Sequence, residues 1–570
     1  MSVNRLPDTM AASSEGSAWS PVPLAVSAER AEELRRMPCP SIVLDETALC
    51  DLELLGNGAF APLRGFMVRR DYESVRDTMR LADGTLWPIP ICLTAPERGE
   101  LREGGMVGLR NVEGVLLGVL HVDEIFAYDP RGEMRALYGA EDPAHPGVAR
   151  LNRRGKFALG GRVELVTAPP HYDFARLRLT PAQARARFAE LGWTRVLGVH
   201  TEAHLSRVHE AWMTRAAADA EAGLFVHPAV GIGSSDDGDA AARVRGYRTV
   251  IETAYRPADA VLALLPLASR WAGAREALWH AVIRKNFGCS HFLVLPRHGQ
   301  WPGAFDASSV WAGAELLEAH RTELGIRPVR CEDLVVPPGD ARVAPRAHAP
   351  SAPPVGVCDE VIGPAAARSA ETIPSWMARP EIVGLLRRTY RPRHEEGVCL
   401  WLTGLSGSGK STLTKALLGP LSEFGRRVTL LDGDEIRTHL SKGLGFSKED
   451  RDTNIRRVGF VAGQVVRHGG AVLCACISPY RAVRDEVRAM CDGRFIEVFC
   501  NTPLDVCAAR DVKGLYAKAL RGEIKGVTGV DDPYEAPERP ELEYDSSRES
   551  VEHMVDRVVG HLVSEGYLTW

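Results

Sequence analysis

The sequence lacks the features that mark membrane, secreted and nucleic-acid-binding proteins. No apolar run approaches the ~18 residues that a membrane span needs, and the N-terminus lacks the charged-then-apolar order of a signal peptide. The formal net charge of −5 argues against a nucleic-acid partner, which would normally require a basic domain. The 12 cysteines have no framework spacing, so we interpret them as buried reduced thiols, including the close pair Cys474 and Cys476. These absences indicate a cytoplasmic enzyme.

The length of 570 residues allows several domains, about three or four. Short apolar runs between glycine and proline turns indicate a small β domain, and alternating helical and strand patterns further on indicate a parallel sheet. We see no internal repeat. The predicted divisions are a flexible tail at 1–20, a mostly β domain at 21–170, an α/β domain at 171–335, a proline-rich linker with a small helical segment at 336–390, and a C-terminal domain at 391–570.

The segment 404–412 fits the phosphate-binding pattern G-x-x-x-x-G-K-[ST] at every fixed position. A buried strand is predicted before it at 398–403 and a helix after it at 412–418, which is the order that this motif requires. Backbone N–H groups would surround the β-phosphate, Lys410 would reach the β/γ oxygens, and the Ser411 hydroxyl would ligate Mg²⁺. The predicted ATP-binding residues are Gly404, Ser406, Gly407, Gly409, Lys410, Ser411 and Thr412.

Two carboxylates follow the next predicted strand, 428–431, in the order Asp432-Gly433-Asp434. They would lie at the carboxyl end of a sheet strand, beside the phosphates, where a carboxylate acts as a base or holds Mg²⁺. Arginines recur downstream, and a planar guanidinium matches phosphate or sulfate bidentately. The pattern indicates a second anionic ligand beside the nucleotide.

Six separated motifs then occur in a recognisable order. They are Arg437 and the segments 444–451, 454–457, 477–481, 513–516 and 529–535. In these motifs, residues 390–570 closely resemble adenylyl-sulfate kinase, the family that phosphorylates the 3′-hydroxyl of adenosine 5′-phosphosulfate (APS) to give PAPS. The resemblance implies ATP and APS as substrates, Mg²⁺ as cofactor and a homo-oligomer, with no membrane or nucleic-acid partner.

The resemblance also implies roles for individual residues. Asp434 and Lys410 would be catalytic, with Asp434 at the 3′-hydroxyl or, with Ser411, at Mg²⁺. Val527 stands where the family usually has a second aromatic residue, a loss that could weaken base binding by ~1–3 kcal/mol. The implied APS-binding residues are Arg437, Phe446 stacked on adenine, Arg451, Asn454, Ile477, Ser478, Lys513 on a mobile lid, and Val527.

The N-terminal two-thirds resembles another family, ATP sulfurylase (sulfate adenylyltransferase). The similar segments are 50–54, 65–67, 81–90, 272–281 and 284–289. A sulfurylase followed by an APS kinase would be a PAPS synthetase. The implied fold class is α/β multidomain, with an N-terminal mostly β, PUA-like domain, an α/β nucleotidyltransferase-like domain and a C-terminal P-loop kinase with a parallel sheet.

The sulfurylase active loops are rewritten in this chain. The family's Gln-Thr-Arg-Asn-Pro-x-His-x-x-His appears at 200–209 as His-Thr-Glu-Ala-His-Leu-Ser-Arg-Val-His. Glu202 replaces the arginine that meets sulfate, and a carboxylate repels a dianion by ~1 kcal/mol per charge pair even in water. The loop 295–300 keeps only its histidine, and the later Ile-Ser-Gly-Thr element is replaced at 361–364. The residues of this degenerate site are His200, Thr201, Glu202, Ser206, His209 and His298.

Three interpretations of the rewritten loops remain open. In the first, the domain is a retired enzyme kept as an oligomerisation scaffold. In the second, it is a nucleotidyltransferase in which His209 and His298 hold the triphosphate, Ser206 replaces the first histidine and Glu202 selects a cationic or neutral substrate. The third interpretation is ordinary sulfate adenylylation.

Overall fold

The structure is a computed structural model that describes residues 22–231, 237–301, 310–331, 334–335, 344–345, 362, 373–445 and 447–569. The side chains of 237–239, 344–345, 434–435 and 437 lie outside this description. The described residues up to Thr389 form one compact unit, and those from Tyr390 onward form another. The predicted tail 1–20 and most of the predicted linker up to residue 372 lie outside the described residues, so the predicted domain boundaries stay predictions.

The first unit begins with a six-stranded sheet that is mostly antiparallel, with only β1 and β4 parallel. Its strands β1 to β6 are Ser41–Val43, Gly65–Phe66, Leu93–Ala95, Met106–Arg110, Leu116–Ala127 and Phe157–Leu165. Its helices α1 to α5 are Ala28–Arg36, Glu46–Gly56, Arg69–Thr78, Pro130–Tyr138 and Pro146–Leu151. This confirms the predicted mostly β N-terminal domain.

The apolar run 87–93 is one of the short runs from which the β domain is predicted; it is buried, but it becomes a strand only at Leu93. Pro88 and Pro90 explain the difference, because proline has no N–H to donate to a sheet ladder.

The second half of the first unit contains a parallel sheet in the order β11-β10-β7-β8-β9. Strands β7 to β11 are Val196–Val199, Gly223–Val226, Ala260–Leu262, His291–Val294 and Arg327–Arg330. Helices α6 to α12 are Pro181–Glu190, Arg207–Ala220, Asp237–Ala254, Ala274–Phe287, Ala312–Ala319, Arg321–Leu324 and Pro380–Thr389. Two short strands, β12 (Leu334–Val335) and β13 (Ala344–Pro345), pair antiparallel. The strand order reverses between β7 and β10, and ligands of open α/β sheets bind at such a point.

The second unit is built on a five-stranded parallel sheet in the order β15-β16-β14-β17-β18. Strands β14 to β18 are Val398–Gly404, Val428–Asp432, Ala471–Ala475, Phe495–Cys500 and Leu542–Tyr544. Helices α13 to α19 are Lys410–Glu423, Gly433–His439, Lys448–Arg467, Arg481–Met490, Leu504–Arg510, Leu515–Leu520 and Val551–Ser564. The central strand β14 is buried at every position, as expected for a parallel sheet covered on both faces.

Among the described residues, none of the helices combines the length and the apolar character that crossing a lipid bilayer requires. Among the described residues the cysteines form no disulfide bonds; Cys39 and Cys331 are half-buried and the other nine are buried.

Candidate active sites

The loop between β14 and α13 has the geometry of a phosphate cradle. Gly404, Gly407 and Gly409 have φ of 143°, 80° and 96°, in the left-handed range that side chains avoid. A Cβ on Gly404 would lie 2.4 Å from the Cys500 carbonyl oxygen, so that position has no room for another residue. The loop leads directly into the N-terminus of α13, where backbone N–H groups and the helix dipole favour an anion.

Lys410, the first residue of α13, is folded back onto this loop. Its ammonium group donates hydrogen bonds to the carbonyl oxygens of Gly404 (2.9 Å) and Leu405 (2.6 Å). Burial lowers the pKa of Lys410. A buried cation bound only to neutral oxygens is matched by an incoming anion, because phosphate oxygens supply the charge that these carbonyls do not.

The adjacent Ser411 is paired with a carboxylate. Its hydroxyl donates to Oδ2 of Asp432, the last residue of β15, at 2.8 Å. Asp434 lies two residues further on, within α14, and its side chain lies outside the described residues. Ser411 and Asp432 therefore form a pair of hard oxygen donors beside the cradle, of the kind that Mg²⁺ prefers. Thr412 follows them on the exposed side of α13.

The carbonyls and side chains around the cradle are held from neighbouring elements. The Ser406 carbonyl accepts from the Tyr516 hydroxyl at 2.8 Å, and the Gly407 carbonyl accepts from Arg510 at 3.2 Å. The loop conformation is thus fixed by residues of α17 and α18, and the sequence pattern alone did not assign these roles.

Ile477 and Ser478 follow strand β16 and are hydrogen-bonded to residues of the neighbouring strand β14. The Ser478 hydroxyl donates to Oγ1 of Thr403 at 2.9 Å and accepts from the Trp401 indole N–H at 3.1 Å. Thr403 also donates to the Ile477 carbonyl at 2.8 Å. Ser478 has a φ of 41°, so the chain turns sharply at the carboxyl end of the sheet. Because its backbone is strained and its hydroxyl is hydrogen-bonded on both sides, Ser478 is held in one position in the wall of the proposed acceptor site.

Arg451, near the start of α15, is engaged by the segment 526–532. Its guanidinium forms an ion pair with Asp532 at 2.8 Å and donates to the Thr528 hydroxyl and to the Gly526 carbonyl. Within the same segment, Asp531 accepts from the backbone N–H groups of Gly526 and Val527, both at 2.6 Å. These hydrogen bonds lower the pKa of Asp531. Val527 is half-buried in this closed turn.

The remaining residues implied for the second ligand divide into three groups. Asn454 is half-buried, and its Oδ1 is buried with no hydrogen-bond partner among the described residues. An orphan acceptor beside Arg451 on one helix suits a ligand hydroxyl or amino group. Lys513 is exposed, just before α18. Phe446 and the side chain of Arg437 lie outside the described residues, so their predicted roles stay predictions.

A second cluster lies in the first unit, at the reversal point of its parallel sheet. His200 follows β7 directly and His298 follows the neighbouring strand β10 by four residues. Helix α9 adds His280, whose Nδ1 lies 2.9 Å from Nε2 of His298. The ring centroids of His280 and His200 are 3.9 Å apart. Burial lowers the pKa of all three imidazoles, that of His298 to about 3, so they are neutral near pH 7.

Arg284, one turn after His280, is fully buried beside this cluster. Its Nη2 donates to Nδ1 of His200 at 2.9 Å and to the His227 carbonyl at 2.6 Å. Burial lowers the pKa of Arg284 to about 9.

Two carboxylates face the histidines. Glu202 Oε1 lies 3.8 Å from Nε2 of His200 and accepts from the Ser269 hydroxyl. Glu276 Oε1 lies 3.6 Å from Nε2 of His280, and its two oxygens accept from the backbone N–H groups of Arg270 and Ala272 at 2.8 Å. Burial and the Glu202 charge raise the pKa of Glu276 to about 7. Two carboxyl groups therefore lie beside the cluster, and Glu276 is only partly ionised near pH 7.

Two of the three remaining residues of the loop, Ser206 and His209, start a helix. The Ser206 hydroxyl accepts from the His209 backbone N–H at 3.3 Å, and the His209 Nδ1 accepts from the Ser206 backbone N–H at 3.3 Å. This is a reciprocal capping box at the N-terminus of α7. Thr201 is buried, and its hydroxyl accepts from the Ala203 N–H at 3.1 Å. The serine that stands in place of the family's histidine thus has a local structural role.

Replacement of the cap should destabilise the first unit. We expect Ser206→Ala to lower its free energy of unfolding by about 1 kcal/mol, because the first turn of α7 loses its side-chain acceptor. Ser206→Thr, which keeps a hydroxyl, should stay within a few tenths of the wild-type value. Urea unfolding followed by tryptophan fluorescence measures both. Equal stability of the alanine and threonine variants would contradict the capping role.

Several residues at the histidine cluster were not predicted from the sequence. His280, Arg284 and Glu276 lie in a segment that was interpreted only as scaffold similarity. The spacing of Glu276, His280 and Arg284, four residues apart, places them on one face of a helix and was an available signal.

Comparisons with known proteins cover nearly the whole chain. The PUA-like domain model matches residues 12–168, the ATP-sulfurylase model matches 175–389, and the Adenylylsulphate kinase model matches 396–545. A sulfate adenylyltransferase from Aspergillus terreus is 40% identical over 566 residues, which are 95% of this chain and 97% of that protein. The chain belongs to the sulfate adenylyltransferase family. It is of the bifunctional PAPS synthetase type, with an adenylylsulphate kinase domain at its C-terminal end.

Other members show how this family is described. A sulfate adenylyltransferase from Emericella nidulans is 41% identical over 548 residues, covering 93% of this chain and 94% of its own. A solved structure described as a hexameric APS kinase from Thiobacillus denitrificans is 32% identical, with a TM-score of 0.77, covering 97% of this chain and 100% of that one. Family members of this length are thus named for either half. The predicted fold class, with its PUA-like, sulfurylase-like and P-loop kinase parts, is confirmed.

Proposed function

We propose that this chain transfers the γ-phosphoryl group of ATP to the 3′-hydroxyl of APS, giving PAPS, and that its sulfurylase-like domain does not adenylylate sulfate. The observation that carries the first part is the cradle at 404–412, where a buried Lys410 is bound only to neutral oxygens. The Adenylylsulphate kinase match across 396–545 supports the choice of acceptor.

The kinase half would act mainly by positioning and charge neutralisation. The loop N–H groups hold the β-phosphate, and Lys410 turns from the loop carbonyls to the β/γ oxygens. Asp434 orients or deprotonates the 3′-hydroxyl. Arg451 and Asn454 bind the acceptor from helix α15, with Ser478 and Ile477 forming the wall and Lys513 on the lid.

Magnesium fits the donor set beside the cradle. The Ser411 hydroxyl and the Asp432 carboxylate are 2.8 Å apart and would hold the ion, with Asp434 as a further carboxylate of the same turn. When bound, Mg²⁺ neutralises charge on the β- and γ-phosphates.

The test of the kinase assignment is direct. Purified protein with ATP, Mg²⁺ and APS should form PAPS, measured by separation of the nucleotides. Asp434→Ala should lower turnover by about 10²-fold or more, as loss of a general base does. A folded wild-type protein that forms no PAPS would refute the assignment.

The proposal against sulfate adenylylation rests on Glu202. Its carboxylate stands where the resembled family has an arginine for sulfate, and burial together with the charge of Glu202 raises the pKa of the second carboxyl group, Glu276, to about 7. A dianion brought to these two groups would be repelled. The hexameric relative that is described only as an APS kinase, over a chain as long as this one, is consistent with this proposal.

A remaining alternative keeps nucleotide binding in the sulfurylase-like domain, with a neutral or cationic second substrate. The observation that favours it is the built cluster of His200, His280 and His298, which a pure scaffold does not require. Equilibrium binding of ATP to the full chain distinguishes the two. Two ATP per chain support the altered transferase, and one supports the scaffold, for which assembly into a hexamer like that relative is the expected role.

An aromatic residue at position 527 should tighten APS binding. We expect Val527→Phe to lower the KM for APS several-fold with a smaller change in kcat, because base stacking forms equally in the ground and transition states. The matched control is Val530→Phe, at an exposed position of the same segment. Val530→Phe should keep the wild-type KM for APS. If Val527→Phe keeps it too, another side chain already stacks on the adenine.

A further inference from the structure

The strongest feature that the proposed function leaves unused is the histidine cluster at the end of β7 and β10. We propose that His200, His280 and His298 bind a divalent transition-metal ion of the zinc type, with Glu202 and Glu276 as carboxylate partners of two of the imidazoles. This site would lie in the sulfurylase-like domain and does not depend on the kinase assignment.

The geometry of the three rings supports a common ligand. One ring nitrogen of each lies within 4.8 Å of the others, and all three side chains are buried. Nδ1 of His280 and Nε2 of His298 lie 2.9 Å apart, near the ~3.3 Å that two nitrogens keep on one tetrahedral Zn²⁺ with Zn–N bonds of about 2.0–2.1 Å. A metal ion would replace the single proton that these two nitrogens share. His200 would need to move its nitrogen by on the order of 1 Å to complete the set.

The carboxylates are placed where partners of metal-bound histidines are usually found. Histidine ligands of metals almost always donate their other ring N–H to a carboxylate or carbonyl. If His200 and His280 bind through Nδ1, their Nε2–H groups point to Glu202 at 3.8 Å and to Glu276 at 3.6 Å. Nε2 of His280 is buried with no hydrogen-bond partner among the described residues, so its N–H is available to donate to Glu276 when Nδ1 binds a metal ion.

The charges also match a divalent cation. The three imidazoles are neutral and the two carboxyl groups repel each other, so the cluster brings several electron-pair donors together around one position. Imidazole ligands suit Zn²⁺, Cu²⁺, Ni²⁺ and Fe²⁺ better than Mg²⁺. Arg284 opposes this, because its N–H occupies the Nδ1 lone pair of His200. On metal binding it would lose this hydrogen bond and keep those to the carbonyls of His227 and His280, so we expect weaker binding than at a structural zinc site.

His200 makes the site particular to this chain's rewritten loop. The resembled family has glutamine at that place, and a glutamine amide is a much poorer ligand for these ions than imidazole. His200→Gln is therefore both the disabling variant and the restoration of the family residue.

The test uses untagged full-length protein that has been freed of metal by a chelator. Added Co²⁺ should give visible ligand-field bands that saturate at one ion per chain, and Zn²⁺ should abolish them by competition. His200→Gln should weaken Co²⁺ binding at least tenfold, and Glu202→Gln should weaken it about tenfold or more through the lost partner. His320→Gln, at a partly exposed histidine away from the cluster, should bind as wild type does.

Several results would overturn the proposal. One is absence of Co²⁺ bands in the wild-type protein, and another is wild-type affinity in His200→Gln. Circular dichroism checks that each variant is folded. Should His200→Gln fail that check, His298→Gln takes its place with the same expected loss. A Zn²⁺-induced rise in Tm that is present in wild type and His320→Gln but absent in the cluster variant gives an independent readout.

Discussion

Lys410→Ala should abolish most of the PAPS formation that we propose, lowering kcat by about 10²- to 10³-fold or more with ATP, Mg²⁺ and APS. The ammonium group is buried at the start of α13, and the acceptors it has among the described residues are neutral oxygens, two carbonyls and the Ser408 hydroxyl, so its charge is available to the transferred phosphoryl group. In a low-dielectric cradle this charge stabilises the transition state more than it would in water.

The matched control is Lys415→Ala, at an exposed lysine of the same helix. It should keep wild-type kcat and KM, which separates the effect of the cradle from a general loss of positive charge on α13. Steady-state rates of PAPS formation measure both variants. A Lys410→Ala enzyme within about tenfold of wild type would exclude the proposed role.

ATP and sulfate alone should give almost no APS, at a rate roughly 10³-fold or more below the kinase step, even with pyrophosphatase to remove the second product. The physical reason is local: Glu202 stands where the resembled family has its sulfate-binding arginine, and Glu202 and Glu276 both place carboxyl groups beside the histidine cluster. Radiolabelled sulfate followed into APS and PAPS measures the rate.

A single restored charge should not rescue this activity. Glu202→Arg leaves His200, Ser206 and the loop 295–300 unchanged, and catalytic groups that act as a unit are strongly non-additive. The matched variant Glu202→Gln removes the repulsion without adding a cation and should be equally inactive. Formation of PAPS from ATP and sulfate by the wild-type protein, at a rate comparable with the kinase step, would make the chain an ordinary PAPS synthetase.

The fold was largely predictable because its signals are local. The strand before Gly404 is apolar up to Thr403 and buried throughout, and the glycines of the loop have the positive φ values that the motif implies. The buried run at 87–93 was harder, because apolar composition reports burial while its prolines prevent a strand.

The sites were predictable only where one segment carries them. The cradle is a single stretch of sequence, whereas the pairing of Ser411 with Asp432 joins residues that are 21 apart. The histidine cluster joins the ends of β7 and β10 to helix α9, and only the strand order makes these ends neighbours. The role of Ser206 as a helix cap was likewise hidden, because family similarity assigned it to a catalytic position.

The hydrogen bonds and ion pair between Arg451 and the segment 526–532 have a consequence for substrate binding and product release. This guanidinium already holds Asp532, Thr528 and the Gly526 carbonyl, so the segment is an internal competitor for the group proposed to grip APS. Arrival of the acceptor would then release the segment from its anchor, and departure of PAPS would be assisted when the anchor re-forms. Under the proposed function, one exchange of partners at Arg451 would thereby set both the affinity for the acceptor and the rate of product release.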